Sequence, residues 1–182
     1  MKLSDFPITK RWPAKHPDRL QLYSRTTPNG VKVSIMLEET GLPYEAHYVD
    51  FGRQDQRTPE YLSLNPNGKI PAIIDPDGPG GEALALYESG AILQYLAEKT
   101  GKLLPADGVR RWETIQWVCW QMAFVGPMFG QVGYFKVFDG KDIALWHLPP
   151  AGYGVGAALP ADPDRLPAAW AAVRRALVSR AA

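Results

Sequence analysis

The sequence holds one cysteine among 182 residues. That excludes a disulfide framework within the chain, a zinc knuckle and a Cys-x-x-Cys redox pair. If sulfur chemistry occurs, the reactive sulfur arrives with a ligand. Excess charge of one sign is also missing: 20 Lys and Arg stand against 19 Asp and Glu, a formal net charge of +1. A chain so balanced is not built to neutralise a phosphate backbone, and no nucleic-acid partner is expected. No apolar run reaches roughly 18 residues, so no membrane span is expected. The first twenty residues carry Lys2, Asp5, Lys10, Arg11, Lys15 and Asp18 and lack the continuous apolar segment of a secretory signal. A soluble, cytoplasmic protein is the expectation. GxGxxG and Walker motifs are absent, and His16, His47 and His147 show no ligand spacing, so no metal is expected.

What the chain does hold is enough apolar mass, 46% of residues, to bury a core. Residues 1–19 contain Pro7, Pro13 and Pro17, spaced too closely for a helix, and are expected as an extended arm laid on the body through Phe6 and Trp12. Leu20 to Ser24 alternates as a strand. A turn at residues 26–30 leads to a helix from Val31 to Thr40, with Val33, Met36, Leu37 and Thr40 on its buried face and Gly41 as its stop. Pro43 to Val49 reads as a second strand and Gly52 to Arg57 as a polar loop. Thr58 and Pro59 open a short helix. A third strand spans Ile70 to Asp75, and the loop Pro76 to Gly81 returns the chain to a fourth at Ala83 to Tyr87. A helix from Ala91 to Thr100 follows. The order β-α-β-α-β-β-α predicts a βαβ crossover followed by a hairpin and a packing helix, a compact α/β layer fold.

After Pro105, Val109 to Gln131 is expected as one long helix, apolar on two faces. Trp112, Ile115, Cys119, Met122 and Val125 form one, and Trp117, Trp120 and Phe124 the other. These aromatics are expected in a core, with Cys119 a buried small hydrophobe. Past Lys141 the composition turns to Ala, Gly and Pro without a period. Ala168 to Ala181 reads as an amphipathic helix within that segment.

Three loops have chemical potential. Thr27-Pro28-Asn29-Gly30 places a hydroxyl, an amide and backbone N–H groups at a helix start, which favours an anion such as a thiolate; the alternative is an ordinary N-cap with a proline turn. Asn67-Gly68-Lys69-Ile70-Pro71 offers the Ile70 main chain to an added strand, aimed outward if Pro71 follows a cis bond, with Lys69 beside it for a carboxylate. The alternative is an edge-strand proline and a solvated lysine. In Glu88-Ser89-Gly90, Ser89 at an N-cap suits a carboxylate and Glu88 an ammonium, together an α-amino-acid head group; the alternative is a plain capped helix.

Taken together, Tyr23-Ser24-x-x-Thr27-Pro28-Asn29-Gly30, Asn65-Pro66-Asn67-Gly68-Lys69-Ile70-Pro71-Ala72-Ile73 and Glu88-Ser89-Gly90-Ala91-Ile92-x-x-Tyr95-Leu96 resemble the cytosolic glutathione transferases. Thr-Pro-Asn-Gly and the run from Trp117 to Gly126-Pro127-Met128-Phe129-Gly130-Gln131 are similar to the bacterial nu class, disulfide-bond oxidoreductases related to the fungal nitrogen-regulator branch. The resemblance covers about residues 20–138. It implies a thioredoxin-like α/β N-terminal domain, an all-α C-terminal domain and a homodimer. It implies glutathione as co-substrate, bound as an extended tripeptide, and a small-molecule disulfide or electrophile as second substrate. By motif, Thr27 would donate its hydroxyl to the glutathione sulfur with Asn29 beside it. Ile70 would pair with the cysteinyl unit ahead of a cis Pro71. Glu88 and Ser89 would hold the γ-glutamyl head, and Lys69 and Gln56 would add contacts. The expected divisions are an arm at 1–19, the glutathione-binding domain at 20–103, the start of the helical domain at 104–138 and an atypical tail at 139–182. Asp139 to Ala144 is similar to the family's capping box before a core helix. The composition change beyond it suggests that a deletion or frame shift has replaced part of the helical domain, together with its ligand-contacting arginine.

Overall fold

Alternation in the first strand, β1 (Leu20–Ser24), decides the layering: Leu20 and Leu22 enter one core cluster, while Tyr23 enters the other. A computed structural model describes residues 1–133. The tail expected at 139–182, its helix at 168–181, the capping pattern at 139–144, His147 and the last residues of the 104–138 segment lie outside the described residues. The chain divides into two units, Met1–Ile115 and Gln116–Ala182.

In the first unit a four-stranded sheet has the order β2-β1-β3-β4. Helix α1 (Ile8–Arg11) precedes β1, and α2 (Pro28–Thr40) connects β1 to β2 (Tyr44–Tyr48). Helix α3 (Pro59–Leu64) precedes β3 (Ala72–Asp75), β4 (Leu84–Tyr87) returns, and α4 (Ser89–Thr100) closes the layer. β1 and β2 are parallel, as a right-handed crossover through a helix requires, whereas β3 is antiparallel to both β1 and β4. This is the thioredoxin-like arrangement. Helix α2 begins three residues before the predicted start because Thr27 accepts the Gly30 N–H at 3.2 Å and Pro28 occupies the first helical position, where its missing N–H costs nothing.

The two faces of the sheet are covered differently. On one, α2 and α4 contribute Val33, Met36, Leu37, Ile92 and Leu96, which close over Leu20, Leu22 and Ile73. On the other, α3 and the arm bring Tyr61, Leu64, Leu3 and Ile8 against Tyr23, Ala72 and Ile74. Burying a side chain such as Ile8 contributes about 1.5–3 kcal/mol. Polar groups share this second face. Tyr23 stacks on His47 with centroids 4.7 Å apart, and His47 Nε2 lies 2.7 Å from Gln21 Oε1. Burial holds the His47 pKa below its ordinary value, against the pull of Glu45. Burial pushes the Tyr23 phenol up, with Glu45 adding to the effect.

The arm lies on the body as expected, but it is not extended. A 3-10 turn at Leu3–Asp5 and the single turn of α1 shape it. Pro7 sits at the N-cap of α1, so that proline starts a turn rather than preventing one.

The helical stretch expected over Val109 to Gln131 is present: α5 (Gly108–Trp120) continues through a π segment, Gln121–Val125, into α6 (Gly126–Gly133). Pro127 has no N–H to bond the carbonyl four residues back. The Gly126 N–H instead reaches Gln121, five residues back. Within the second unit, Trp117 and Trp120 pack edge to face at 5.3 Å. The expected core placement of this stripe does not hold among the described residues: Trp117, Trp120 and Phe124 are exposed, as is Trp112. Cys119 is exposed as well, against the expectation of burial. None of residues 116–131 is buried. No helix among the described residues is long and apolar enough to cross a membrane.

Candidate functional site

Strand direction alone gathers four loops at one end of the sheet. β1 ends at Ser24 and leads to Thr27. β2 runs parallel to β1, so the segment after it, which carries Gln56, leaves from the same end. β3 is antiparallel to β1, so its approach, Lys69 to Pro71, lies there too; β4 is antiparallel to β3, and so Glu88 and Ser89 follow. Tyr23, Ala72 and Tyr87 form one row across three adjacent strands. At about 4.8 Å per strand the row spans about 10 Å, the length of roughly three extended residues.

At the β1 corner, Thr27 is half-buried and Asn29 exposed. The Thr27 oxygen is a cap for Gly30, and among the described residues no acceptor takes its hydroxyl proton. Gly30 is required by space: a Cβ there would lie 2.1 Å from the Arg25 carbonyl oxygen and 2.5 Å from Ser24 Oγ. The strand end and the first turn of α2 therefore touch backbone to backbone, and the N-terminus of a 13-residue helix faces the corner.

The Ile70–Pro71 bond is cis, and β3 begins only at Ala72, two residues later than expected. The peptide before it is held from below. Tyr61 Oη and Asn65 Nδ2 both donate to the Lys69 carbonyl, at 2.8 and 2.9 Å. The Ile70 main chain makes no backbone–backbone hydrogen bond among the described residues. The Lys69 side chain is exposed.

Gln56 sits in the 3-10 turn Asp55–Arg57, against the Asn67–Gly68 turn: a Cβ on Gly68 would come within 2.9 Å of the Gln56 carbonyl oxygen. Its side-chain oxygen is buried with no hydrogen-bond partner. A buried acceptor left in this state is unusual and marks a place where a donor is expected. The turn itself is anchored by Asp55, which is buried and paired with Arg11 of the arm; Asp55 Oδ2 also accepts the Asp50 N–H at 2.9 Å. Burial works to raise the Asp55 pKa, but the Asp50 N–H and Arg11 outweigh it and hold the carboxyl below its ordinary range.

At the third corner the expected cap is shifted by one residue. Glu88, not Ser89, is the N-cap of α4, and its side chain does not cap the helix. Glu88 instead holds φ 72° and ψ 109°, a conformation that L side chains rarely adopt. Ser89 is the first helical residue and is buried. Lys32, one turn past Asn29 on α2, lies within the electrostatic reach of Glu88. Burial lowers its pKa and Glu88 opposes that shift. Lys32 did not emerge from the sequence motifs, although its spacing of three from Asn29 puts it on the same helical face. Arg25 was also missed; its guanidinium lies 4.8 Å from the Phe51 ring centroid and 4.0 Å from Asp50.

The opposite end of the strands holds an open groove of about 350 Å3 lined by Asp18, Arg19, Asp75 and Lys99. The buried Asp75 there is fully engaged by Tyr95 Oη at 2.6 Å, Lys99 at 2.9 Å and the Asp77 N–H at 3.0 Å. It is a structural carboxylate. Among the described residues no group of His, Cys, Asp and Glu could hold a metal ion.

Residues 26–99 match the family model of the glutathione S-transferase N-terminal domain. The chain is 50% identical over 118 residues to the disulfide-bond oxidoreductase YfcG of Escherichia coli, covering 64% of this chain and 55% of that protein. It is 38% identical over 144 residues to the transcriptional regulator URE2 of Saccharomyces cerevisiae, covering 75% of this chain and 40% of that one. A solved glutathione transferase from Pseudomonas putida, with one glutathione disulfide bound per subunit, superposes with a TM-score of 0.78 at 63% identity. That match covers 81% of this chain and 64% of the other. The chain thus spans about half the length of the curated relatives it matches.

Proposed function

Because residues 26–99 carry a glutathione S-transferase N-terminal domain, we propose that this chain binds glutathione as an extended tripeptide and uses its thiolate to reduce disulfides. The observation that carries the reading is the placement of Thr27, Gln56, Ile70 and Ser89 in loops at one end of the sheet, where the row across β1, β3 and β4 is about 10 Å wide. The donor set fits the ligand. The Ile70 main chain has hydrogen-bonding capacity to offer the cysteinyl unit. Glu88 and Ser89 suit the α-amino and α-carboxyl groups of the γ-glutamyl head, Lys69 suits the terminal carboxylate, and the buried Gln56 Oε1 can accept from an N–H of the ligand.

Glutathione supplies the sulfur: its thiolate attacks a disulfide, forming a mixed disulfide as the leaving thiolate takes up a proton, and a second glutathione thiolate then cleaves that mixed disulfide, releasing the second thiol and glutathione disulfide. The chain's part is to keep that thiol ionised. A free thiol has a pKa near 8.5, and each unit of lowering corresponds to about 1.4 kcal/mol. The α2 N-terminus contributes about 0.3–1 kcal/mol, or up to about 2 when partly buried. A hydrogen bond from the Thr27 hydroxyl to the charged sulfur adds about 1.5–3 kcal/mol. Together they make a substantial thiolate fraction at neutral pH. Asn29 lies beside the same helix start. A homodimer in the cytoplasm belongs to the same proposal, and light scattering on the purified chain tests the dimer.

The test is calorimetric titration with glutathione followed by turnover of a small disulfide. Thr27→Ala is expected to bind glutathione within a few-fold of the parent and to lose about tenfold or more in rate. Full rate in that variant removes Thr27 from the mechanism. The likeness to the URE2 regulator favours a second reading, glutathione binding without turnover; saturable binding with no reductase activity is its signature. Conjugation to a small electrophile is separated by assaying a halonitrobenzene alongside the disulfide.

A further inference from the structure

The arm before β1 lies outside the matched domain, yet it grips both loops on the second face of the sheet. Arg11 pairs with Asp55, whose side chain is 7% exposed. Asp55 closes its own loop twice, taking the Asp50 N–H at 2.9 Å on Oδ2 and giving its N–H to the Asp50 carbonyl at 3.0 Å. Gln56 is the next residue. Gln54, just before, is held at φ 54°, so this turn does not persist by backbone preference alone. Beside Arg11, the half-buried Trp12 packs edge-on to Tyr61 with centroids 6.4 Å apart, and Tyr61 donates to the Lys69 carbonyl. The Arg11 guanidinium also lies 5.1 Å from the Trp12 ring. Two neighbouring arm residues thus connect to two separate segments of the candidate site, the Gln56 turn and the approach to Ile70.

We propose that Arg11 is a positioning residue: through the buried Asp55 carboxylate it fixes the turn that carries Gln56, so the arm sets glutathione affinity without touching the ligand. This rests on the glutathione-binding reading above. Arg11 acts on where Gln56 points and not on the thiolate at Thr27. Its removal therefore weakens binding and raises KM for glutathione while leaving kcat at saturating glutathione unchanged. A residue that merely stabilised the fold would lower the amount of active protein, and hence kcat, with no change in KM. A lysine keeps the charge but offers a single point contact where the guanidinium offers a fork, and it is expected to restore part of the affinity.

The experiment uses the full chain. Glutathione is titrated calorimetrically into the parent, Arg11→Ala, Arg11→Lys and Lys10→Ala, the last an exposed arm residue serving as control. KM and kcat are measured for each with a small disulfide. Arg11→Ala is expected to raise the glutathione Kd and KM about tenfold at constant kcat. Arg11→Lys is expected to fall between it and the parent, and Lys10→Ala to match the parent. Should Arg11→Ala not fold, Arg11→Gln, which keeps the stem beside Trp12, carries the same expectation. Faster amide exchange at residues 50–57 in either variant supports the route through the turn. Equal affinity in parent and variant overturns the proposal while the glutathione reading stands. No binding by the parent overturns both.

Discussion

The two faces of the sheet are built from different chemistry. The face under α2 and α4 is mainly aliphatic: Leu22, Val33, Leu37, Ile73, Ile92 and Leu96 fill it, each almost fully buried, and its buried Asp75, held by Tyr95 and Lys99 of α4, lies at the end away from the candidate site. The face under α3 and the arm is aromatic and polar, with Tyr23, Tyr61, His47, Gln21, Asn65 and Asp55 buried among the hydrophobes. Hydrogen bonds from that second face end on loops of the candidate site. Tyr61 and Asn65 hold the Lys69 carbonyl, and Asp55 holds the turn with Gln56. Dispersion and burial are non-directional and suit a layer whose task is to hold together. Hydrogen bonds fix direction and suit a layer that must aim a loop. The first face is therefore expected to govern stability and the second to govern ligand affinity.

The largest effect belongs to the aliphatic face. Leu37→Ala removes a fully buried side chain and is expected to lower unfolding free energy by about 2–5 kcal/mol, read from urea denaturation. The folded fraction is expected to bind glutathione within twofold of the parent. A large affinity loss in this variant would break the division between faces. A smaller effect is expected from Tyr61→Phe, which removes one of two donors to Lys69: about 0.5–1.5 kcal/mol in stability. Its glutathione affinity should fall several-fold, so that the ratio of affinity loss to stability loss exceeds that of Leu37→Ala. The smallest effect is a pH dependence. His47 is buried neutral with its pKa depressed, so the unfolded chain takes up the proton first as pH falls through 6.5. Stability from this group is complete above that pH and declines below it. Denaturation midpoints between pH 7.5 and 5.5 should fall in the parent and fall less in His47→Gln.

Much of this was legible in the sequence because it is local. The alternation of Leu20 to Ser24, the face at Val33, Met36 and Leu37, the stop at Gly41 and the Thr58–Pro59 helix start each depend on neighbours within a turn or a strand. The loops at Thr27, Ile70 and Ser89 were also found, since motif order and strand direction together place them at one end. Contacts across long separations were not legible. Nothing near Arg11 announces Asp55, 44 residues away, and nothing near Lys32 announces Glu88. The arm was misread because proline was taken to exclude helix everywhere, when at the N-cap of α1 it is tolerated. The stripe from Trp112 to Phe124 was misread for the opposite reason: periodicity says which side chains share a face, but not what covers that face.

Glu88 gives the clearest view of what the arrangement demands. Its backbone sits in a region natural to glycine, at a cost of about 1–3 kcal/mol for a residue with a Cβ. A sequence optimised for thermal endurance alone would place glycine there. Keeping a carboxylate at that corner means the domain rests below its own attainable stability ceiling, and an engineer who raised the melting temperature at this position would be erasing the side chain that the glutathione proposal assigns to the ligand's amino group.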